Sequence, residues 1–366
     1  MTLGVGVAGV GWCGIEHIRC FARNPHTEVR MLCGRDEGRV RQRLAEAGID
    51  LPGVTITTRY EDLVESGDVQ VVSIATPNDL HVPQAVLAAR AGRHVLLEKP
   101  TALDVEGLVA LRDAVADGGV RTIVSFELRY NPLLQFVHWL RESGRLGRIL
   151  YARADYLSRV TDWYGGWDWS ITRERGGSHL LLGGCHAMDA LRWLSGLEVE
   201  EVSAWGMQHT AGYEFPTTMA INLKLSGGAI GQLTSSTDFQ MPYTFAINLA
   251  GERASVQGTL ILWKDEVVDL AELQAANPFA DVQLEAAGYG SAGDGSAIRI
   301  VPDVLPDSVD TAHHPFQAEV DDLVDAILGE RETMLNMAEA QRSMEACLAA
   351  DRSAANDGMP VRLPLT

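Results

Sequence analysis

Leu3-Gly-Val-Gly-Val-Ala-Gly9-Val-Gly11-Trp12-Cys13-Gly14 is an apolar run that breaks at glycines and passes into a helix-like segment, Ile15 to Arg23. The pattern Gly9-x-Gly11-x-x-Gly14 lies between the strand and the helix. Glycines there permit a tight turn, a close backbone approach to a pyrophosphate and close helix–strand packing. The N–H groups of the helix start then face an anion. Alone, this spacing is a weak signal. Its position after an apolar strand, at the head of a strand–helix series, predicts a dinucleotide site that includes Trp12 and Cys13. A tight turn without a ligand is the rival reading.

Outward from that loop, the next strand is Glu28 to Cys33. An acidic residue that holds a ribose 2′-OH is expected roughly 20 residues on. Gly34-Arg35-Asp36 stands there. Glycine removes the carboxylate that would repel a 2′-phosphate, and Arg35 can pair with that phosphate. NADP is therefore the preferred cofactor, with NAD the alternative in which Arg35 stacks on adenine and Asp36 caps the next helix. Further strand and helix patterns alternate: Arg39–Ala47, Val54–Thr57, Tyr60–Ser66, Val69–Ala75, Val82–Ala91, His94–Glu98, Val105–Ala116 and Arg121–Phe126. The near-continuous apolar strand Val69–Ala75 suits burial on both faces. Repeated units of this length predict an α/β fold with a Rossmann-type, doubly wound parallel sheet over residues 1–124.

After about residue 125 the texture changes. Helical patterns (Pro132–Glu142, Ser178–Leu194) sit among the strand-like stretches Ile149–Leu157, Val199–Gln208, Thr217–Leu225, Ala229–Ser236 and Tyr243–Ala250. Residues 125–366 are expected to form an α+β domain with a large, mostly antiparallel open sheet. Asn277–Pro306, rich in Gly, Ala, Asp and Pro, reads as loop. A last helix pair, Phe316–Leu328 and Met337–Asn356, and a strand, Pro360–Pro364, complete the pattern and can pack back on the first domain.

Lys plus Arg number 30 against 49 Asp plus Glu, a net charge of −19 that repels phosphate backbones and anionic lipid. Nucleic-acid and membrane partners are not expected. Five scattered cysteines without a CxxC pair read as free thiols of a reducing compartment. No basic leader precedes the first strand, and no apolar run approaches the ~18 residues that span a bilayer. A cytoplasmic protein is expected.

Ala75-Thr76-Pro77-Asn78, His81 and Ala91-Gly-Arg-His-Val-Leu-Leu-Glu98-Lys99-Pro100 add a more specific pattern. So do Arg129-Tyr-Asn-Pro132, Gly144-Arg-Leu-Gly147, Gly176-Gly-Ser-His179-Leu-Leu-Leu182-Gly183-Gly184-Cys-His186-Ala-Met-Asp189, His314-Pro-Phe-Gln-Ala-Glu319 and Ala349-Ala-Asp-Arg-Ser353. With the N-terminal glycines, these residues resemble the glucose–fructose oxidoreductase / inositol dehydrogenase / MocA (Gfo/Idh/MocA) family along essentially the whole chain. The resemblance implies pyridine-nucleotide oxidation or reduction of sugars, sugar derivatives or cyclitols. It also implies an open sheet that buries a face by forming a homodimer or homotetramer.

Thr76, Pro77 and Asn78 end a strand where α/β folds bind ligands, and His81 and Glu98 join them as expected cofactor contacts. Lys99 ends the next strand, where an ammonium can stabilise developing alkoxide charge and touch both cofactor and substrate. Pairing of Lys99 with Glu98 is its bland alternative. The resemblance implies a cis Lys99–Pro100 bond and makes His186 the general acid/base, a role that suits a group titrating near neutrality. Asp189 suits an orienting contact. Family members often carry an aspartate one turn before that histidine, and here the position is Leu182. His179 lies on nearly the same helix face as His186; it either enters the substrate site or starts the helix. Gly183 and Gly184 inside a helix cost about 1 kcal/mol each, which close packing against the nicotinamide domain, or a kink, would explain.

Trp163-Tyr-Gly-Gly-Trp167-Asp168-Trp169 offers flat faces for sugar rings, with Asp168, Asp155 and Arg129 to bond hydroxyls; an interface core is the alternative. His313-His314 has no metal-ligand spacing around it. The expected reaction moves a hydride between nicotinamide and a carbinol carbon, with His186 handling the proton and Lys99 steadying the oxygen. A glycosidase that oxidises its sugar transiently, or a non-catalytic nucleotide or sugar sensor, are the rivals.

Overall fold

The computed structural model describes residues 2–162, 164–288, 295–301 and 314–365. Its first sheet is built from β1 (Leu3–Ala8), β2 (Thr27–Cys33), β3 (Thr55–Thr57), β4 (Val71–Ile74), β5 (His94–Leu97) and β6 (Thr122–Val124). Helices α1 (Trp12–Arg23), α2 (Glu37–Glu46), α3 (Tyr60–Glu65), α4 (His81–Arg90) and α5 (Val105–Gly118) alternate with these strands. All pairings are parallel, in the order β3-β2-β1-β4-β5-β6. Both β1 and β4 are buried at every position, as strands covered by helices on both faces must be. Strand order reverses between β1 and β4, and ligand crevices of open α/β sheets lie outside the carboxyl ends at that point.

The chain then makes a short 3₁₀ turn at Glu127–Tyr130 and enters α6 (Pro132–Glu142). Pro132 occupies the first helical turn, and the Asn131 side chain accepts from the Leu133 N–H at 3.0 Å. A second sheet of ten strands follows. It comprises β7 (Ile149–Leu157), β8 (Val199–Met207), β9 (Thr218–Leu225), β10 (Ile230–Ser236), β11 (Thr244–Gly251), β12 (Ser255–Gln257), β13 (Leu260–Trp263), β14 (Gln283–Ala287), β15 (Ser296–Val301) and β16 (Val361–Arg362). Every pairing in it is antiparallel except that of β7 with β10. Two short helices, α7 (Trp167–Ser170) and α8 (Arg173–Gly176), lead to α9 (Cys185–Ser195) on the inner face of this sheet. Later helices are α10 (Leu270–Ala276), α11 (Phe316–Leu328) and α12 (Met337–Ala354).

Two expectations need correction. The predicted helix Ser178–Leu194 is a π-helical turn at Leu180–Gly184 followed by α9. The predicted loop Asn277–Pro306 contains β14 and β15, whose pairing sets Leu284 opposite Ile300 and Ala286 opposite Ile298. Glycine and alanine around these short strands mask their alternation. The last helices do reach the first sheet's layer, with α11 against α1, and with α12 touching α5 as well as β8. The strand β16 instead pairs with β8 of the second sheet. Among the described residues, no helix is long and apolar enough to cross a membrane, and all five cysteines are free.

Candidate active site

The glycine loop leaves β1 beside β4. Gly9 has φ +89°, and a Cβ on it would lie 2.2 Å from the Ala75 carbonyl oxygen, so both the turn and the approach to β4 require glycine. A Cβ on Gly14 would meet the Gly9 oxygen at 2.0 Å, whereas nothing lies within 4 Å of the corresponding point on Gly11. The first turn of α1 has no side-chain cap, and its N–H groups open toward that free space. This cradle fits a pyrophosphate. Trp12 stands 40% exposed at its rim.

At the second strand's end, Asp36 caps α2, accepting from the Arg39 N–H at 2.7 Å. A Cβ on Gly34 would strike Val40 at 2.5 Å. Arg35 is exposed and makes no ion pair among the described residues. Of the three, Asp36 has its side chain committed to the helix start.

Beyond β4, the Thr76 hydroxyl donates to Gln84 and the Asn78 amide to the Gly176 carbonyl, which fastens this loop to α8. His81 departs from expectation. Both of its ring nitrogens face backbone carbonyls, of Pro100 at 2.7 Å and of Thr76 at 2.9 Å. The imidazole braces the loops after β4 and β5 and has no nitrogen left for a cofactor.

The β5 strand delivers Glu98 and Lys99 into the crevice, and the Lys99–Pro100 bond is cis. Glu98 is buried, 3.3 Å from His17 Nε2, and its other oxygen accepts from the Lys99 N–H. Burial favours the neutral acid, but the His17 contact and the Lys99 charge hold this carboxyl down to about 2. Glu98 is thus a fixed negative charge under Lys99 and is not exposed to a cofactor. Lys99 Nζ donates to the Leu182 carbonyl at 2.7 Å. Burial opposes its charge, yet Cys185, Glu98 and Tyr156 around it push its pKa above the ordinary lysine range. Of these only Glu98 is ionised near neutrality, since burial lifts the Cys185 thiol and the Tyr156 phenol to about 12 each. The ammonium therefore persists in a half-buried site, and among the described residues its one side-chain hydrogen bond is that to Leu182.

His186, 6% exposed, opens α9. Its ring meets Phe126 edge-on (5.7 Å, 85°) and stacks on Tyr156 (6.3 Å, 18°). Burial, chiefly, pushes its pKa down to about 4. Among the described residues its Nδ1 has no hydrogen-bond partner, and it lies 3.9 Å from Glu127 Oε2. Glu127 Oε1 in turn accepts from His314 Nδ1 at 2.9 Å. Burial would raise Glu127, but His186 and His314 keep it below the usual glutamate value. Glu319 lies nearby, bound by the Ser125 hydroxyl; burial together with Glu127 and Glu98 drives it well above that value.

The two helix glycines have a different partner from the one expected. A Cβ on Gly183 would run into the Tyr156 ring at 2.5 Å, and one on Gly184 into Ser235 Oγ at 2.4 Å. The glycine side of the π turn is pressed against β7 and β10 of the second sheet, while its Leu182 carbonyl meets Lys99. His179 also lies on that sheet, hydrogen bonded with Ser235 Oγ (2.9 Å) and at 3.5 Å from Ser158 Oγ. Burial takes its pKa down to about 4.

Two expected substrate contacts, Arg129 and Asp155, are engaged elsewhere. The Arg129 guanidinium, 3% exposed, is bidentate to Asp189 at 2.6 and 2.7 Å and reaches Glu339 at 3.1 Å. Its Nε and Nη2 donors are taken up by this ion-pair network, and Asp189 is the orienting residue for it. Asp155 pairs with Arg153 and, one residue from Tyr156 on β7, faces the opposite side of the sheet. Trp163 lies outside the described residues, as does His313. Of the neighbouring aromatic segment, Trp167 packs edge-on to Tyr213 and Trp169 to Tyr164, while Asp168 is exposed.

Sequence reading missed His17, Glu127, Tyr156 and His314 as members of this cluster. Tyr156 was legible as an inward position of β7, and His17 as a polar residue on the buried face of α1. Glu127 and His314 are 187 residues apart, and nothing local links them.

Two family models match the chain: an oxidoreductase family with an NAD-binding Rossmann fold over residues 3–126, and a GFO/IDH/MocA C-terminal domain over residues 134–257. Together they take in about two thirds of the residues. The chain is 32% identical over 208 residues to the levoglucosan dehydrogenase of Pseudarthrobacter phenanthrenivorans, covering 53% of this chain and 52% of that protein. It is 27% identical to inositol 2-dehydrogenase 2 of Saccharopolyspora erythraea over 70% of this chain and 73% of the other. It spans about half the length of the curated relatives it matches at 32% and 35% identity. Among solved structures, the WlbA dehydrogenase of Bordetella pertussis, in complex with NADH and UDP-GlcNAcA, superposes with a TM-score of 0.82 at 25% identity, covering 100% of this chain and 99% of that one.

Proposed function

The chain belongs to the Gfo/Idh/MocA oxidoreductase family, and from that premise we propose that it is an NAD(P)-dependent dehydrogenase of CH–OH groups in a sugar, sugar derivative or cyclitol. The observation that carries this reading is the gathering of a charged Lys99 and a neutral His186 beneath an open glycine cradle. Residues 1–124 hold the nucleotide and residues 125–366 supply the substrate side. Gly9, Gly11, Trp12, Cys13 and Gly14 meet the pyrophosphate, and Thr76, Pro77 and Asn78 the nicotinamide half.

A bound nicotinamide supplies the acceptor or donor of the hydride. The ammonium of Lys99, turned into the crevice by its bond to Leu182, stabilises negative charge on the substrate oxygen. His186, neutral at physiological pH, takes the hydroxyl proton or returns it. Tyr156 and Phe126 hold its ring and keep water from it. The levoglucosan and inositol dehydrogenase relatives support a neutral polyol as substrate. Arg35, exposed and without an ion pair among the described residues, supports NADP over NAD. The reading includes a homodimer or homotetramer formed through the outer face of the second sheet, where Ile230 stands 57% exposed.

The test is a panel of sugars and cyclitols with both nucleotides, read by nicotinamide absorbance, with dissociation constants from calorimetry. Turnover is expected, with NADP bound more tightly. Lys99→Ala and His186→Ala should each lower kcat by about a hundredfold or more while nucleotide affinity holds. Near-normal turnover in either variant overturns the assignment, and NAD bound about tenfold more tightly, ~1.4 kcal/mol, overturns the cofactor preference. Product formed without net absorbance change would mark the transient-oxidation glycosidase instead.

A further inference from the structure

We propose that Glu127, itself fixed by His314, is the positioning residue of His186: it holds a proton on Nδ1 and leaves Nε2 as the base. The inference deepens the function proposed above and rests on His186 acting there as the proton acceptor. Three observations converge on it. The His186 ring is confined between Phe126 and Tyr156, so it cannot swing to find a distant partner. Its Nδ1 is buried with no hydrogen bond among the described residues, an arrangement that leaves a polar atom desolvated. The carboxylate oxygen at 3.9 Å from it belongs to a side chain whose other oxygen is already taken, at 2.9 Å, by a second imidazole.

That geometry assigns different tasks to the two oxygens of one carboxylate. Oε1 accepts from His314 Nδ1–H, which pins the side chain and orients it. Oε2 faces His186, and a shift of about 1 Å brings Nδ1 within ordinary hydrogen-bond range. With an oxidised nicotinamide bound to accept the hydride of the substrate C–H bond, the hydroxyl proton would pass to His186 Nε2. The imidazolium so formed places its new charge against Glu127. Leu182 offers His186 no such partner, since it has a hydrocarbon side chain and its carbonyl is occupied by Lys99.

The other groups around His186 define its balance of charge. Glu127, from the turn after β6, and Glu98, from the end of β5, favour the imidazolium, while Lys99 and His314 oppose it. Tyr156 on β7 and Cys185 beside it are neutral near pH 7. Glu319 on α11 is raised well above the usual value by burial beside Glu127 and Glu98 and is bound by the Ser125 hydroxyl. Glu127 is thus the carboxylate held against the ring itself.

The full chain, labelled with ¹⁵N-histidine and free of nucleotide, is examined by long-range NMR at pH 7.5, with His186 assigned by the signal lost in His186→Gln. The wild type should show His186 protonated on Nδ1. In Glu127→Gln that preference should weaken, and the acid limb of the kcat profile should move down by about one pH unit or more. In His314→Gln, Glu127 has only His186 to serve, so the acid limb should move up and the Nδ1–H form persist. A wild-type His186 protonated on Nε2 overturns the proposal, whether or not either variant folds. So does a tautomer and acid limb unchanged in Glu127→Gln with nucleotide still bound. Failure to bind nucleotide at all sinks the dehydrogenase reading instead, and the tautomer measurement is independent of it.

Discussion

Lys99 and His186 carry opposite consequences of the same burial. The lysine keeps its charge because Glu98 sits beneath it, while burial takes the histidine's charge from it against the weaker pull of Glu127 at 3.9 Å. His179 is the simpler case, satisfied by serine hydroxyls and held to about 4 by burial. An unfolded chain binds a proton there near 6.5, so between pH 6.5 and 4 the unfolded state takes up a proton that the native state refuses. The native state's advantage is therefore full above pH 6.5 and falls as the pH drops toward 4. His179→Asn lacks this term, and its stability deficit relative to wild type should shrink by about 3 kcal/mol across that window. Urea titrations at pH 7 and pH 4.5 check it; a deficit that stays constant or widens contradicts the buried neutral imidazole. At this scale the motif residues were legible because Gly9, Lys99 and His186 each sit in a local pattern. Glu127 was not, because its meaning depends on a partner from the other end of the sequence.

The element that decides the site's shape is the π turn at Leu180–Gly184. It inserts one residue into the helix register and turns His186 toward Glu127 while the Leu182 carbonyl faces Lys99. The absence of side chains at Gly183 and Gly184 lets it lie on Tyr156 and Ser235. Gly183→Ala should push this segment off the aromatic ring and destabilise the chain by about 1–3 kcal/mol, with kcat reduced more than nucleotide affinity. Thermal unfolding and calorimetry together check this, and a variant as stable and active as wild type would show that the contact yields without consequence. Periodicity predicted a helix here because the apolar spacing on either side of the turn is helical. The two glycines were the visible irregularity, but their partner lies on strands of another layer. The short strands β14 and β15 escaped for a related reason: their order comes from pairing with each other and with β13, not from a strong pattern of their own.

Across the molecule, Arg129 joins the turn after the first sheet to two later helices. It holds Asp189 on α9 and Glu339 on α12, and Ser343 adds a hydrogen bond from α12 to Asp189 at 2.7 Å. Arg129→Met leaves Asp189 buried with less compensation and should destabilise the protein by about 3–5 kcal/mol, with tryptophan fluorescence and circular dichroism falling in a single transition. A small change confined to substrate KM would instead return Arg129 to the substrate side. The overall layout was readable because strands buried on two faces look different from strands buried on one. The route by which the last helices return was less so, since α11 docks on α1 through contacts between segments more than 290 positions apart, such as Asn24 with Asp321. That return has a consequence for biosynthesis. A chain emerging from the ribosome presents the glycine loop and every strand but β16 before His314, Glu319 and the two closing helices are made, so the buried group of acids and imidazoles around His186 is completed last.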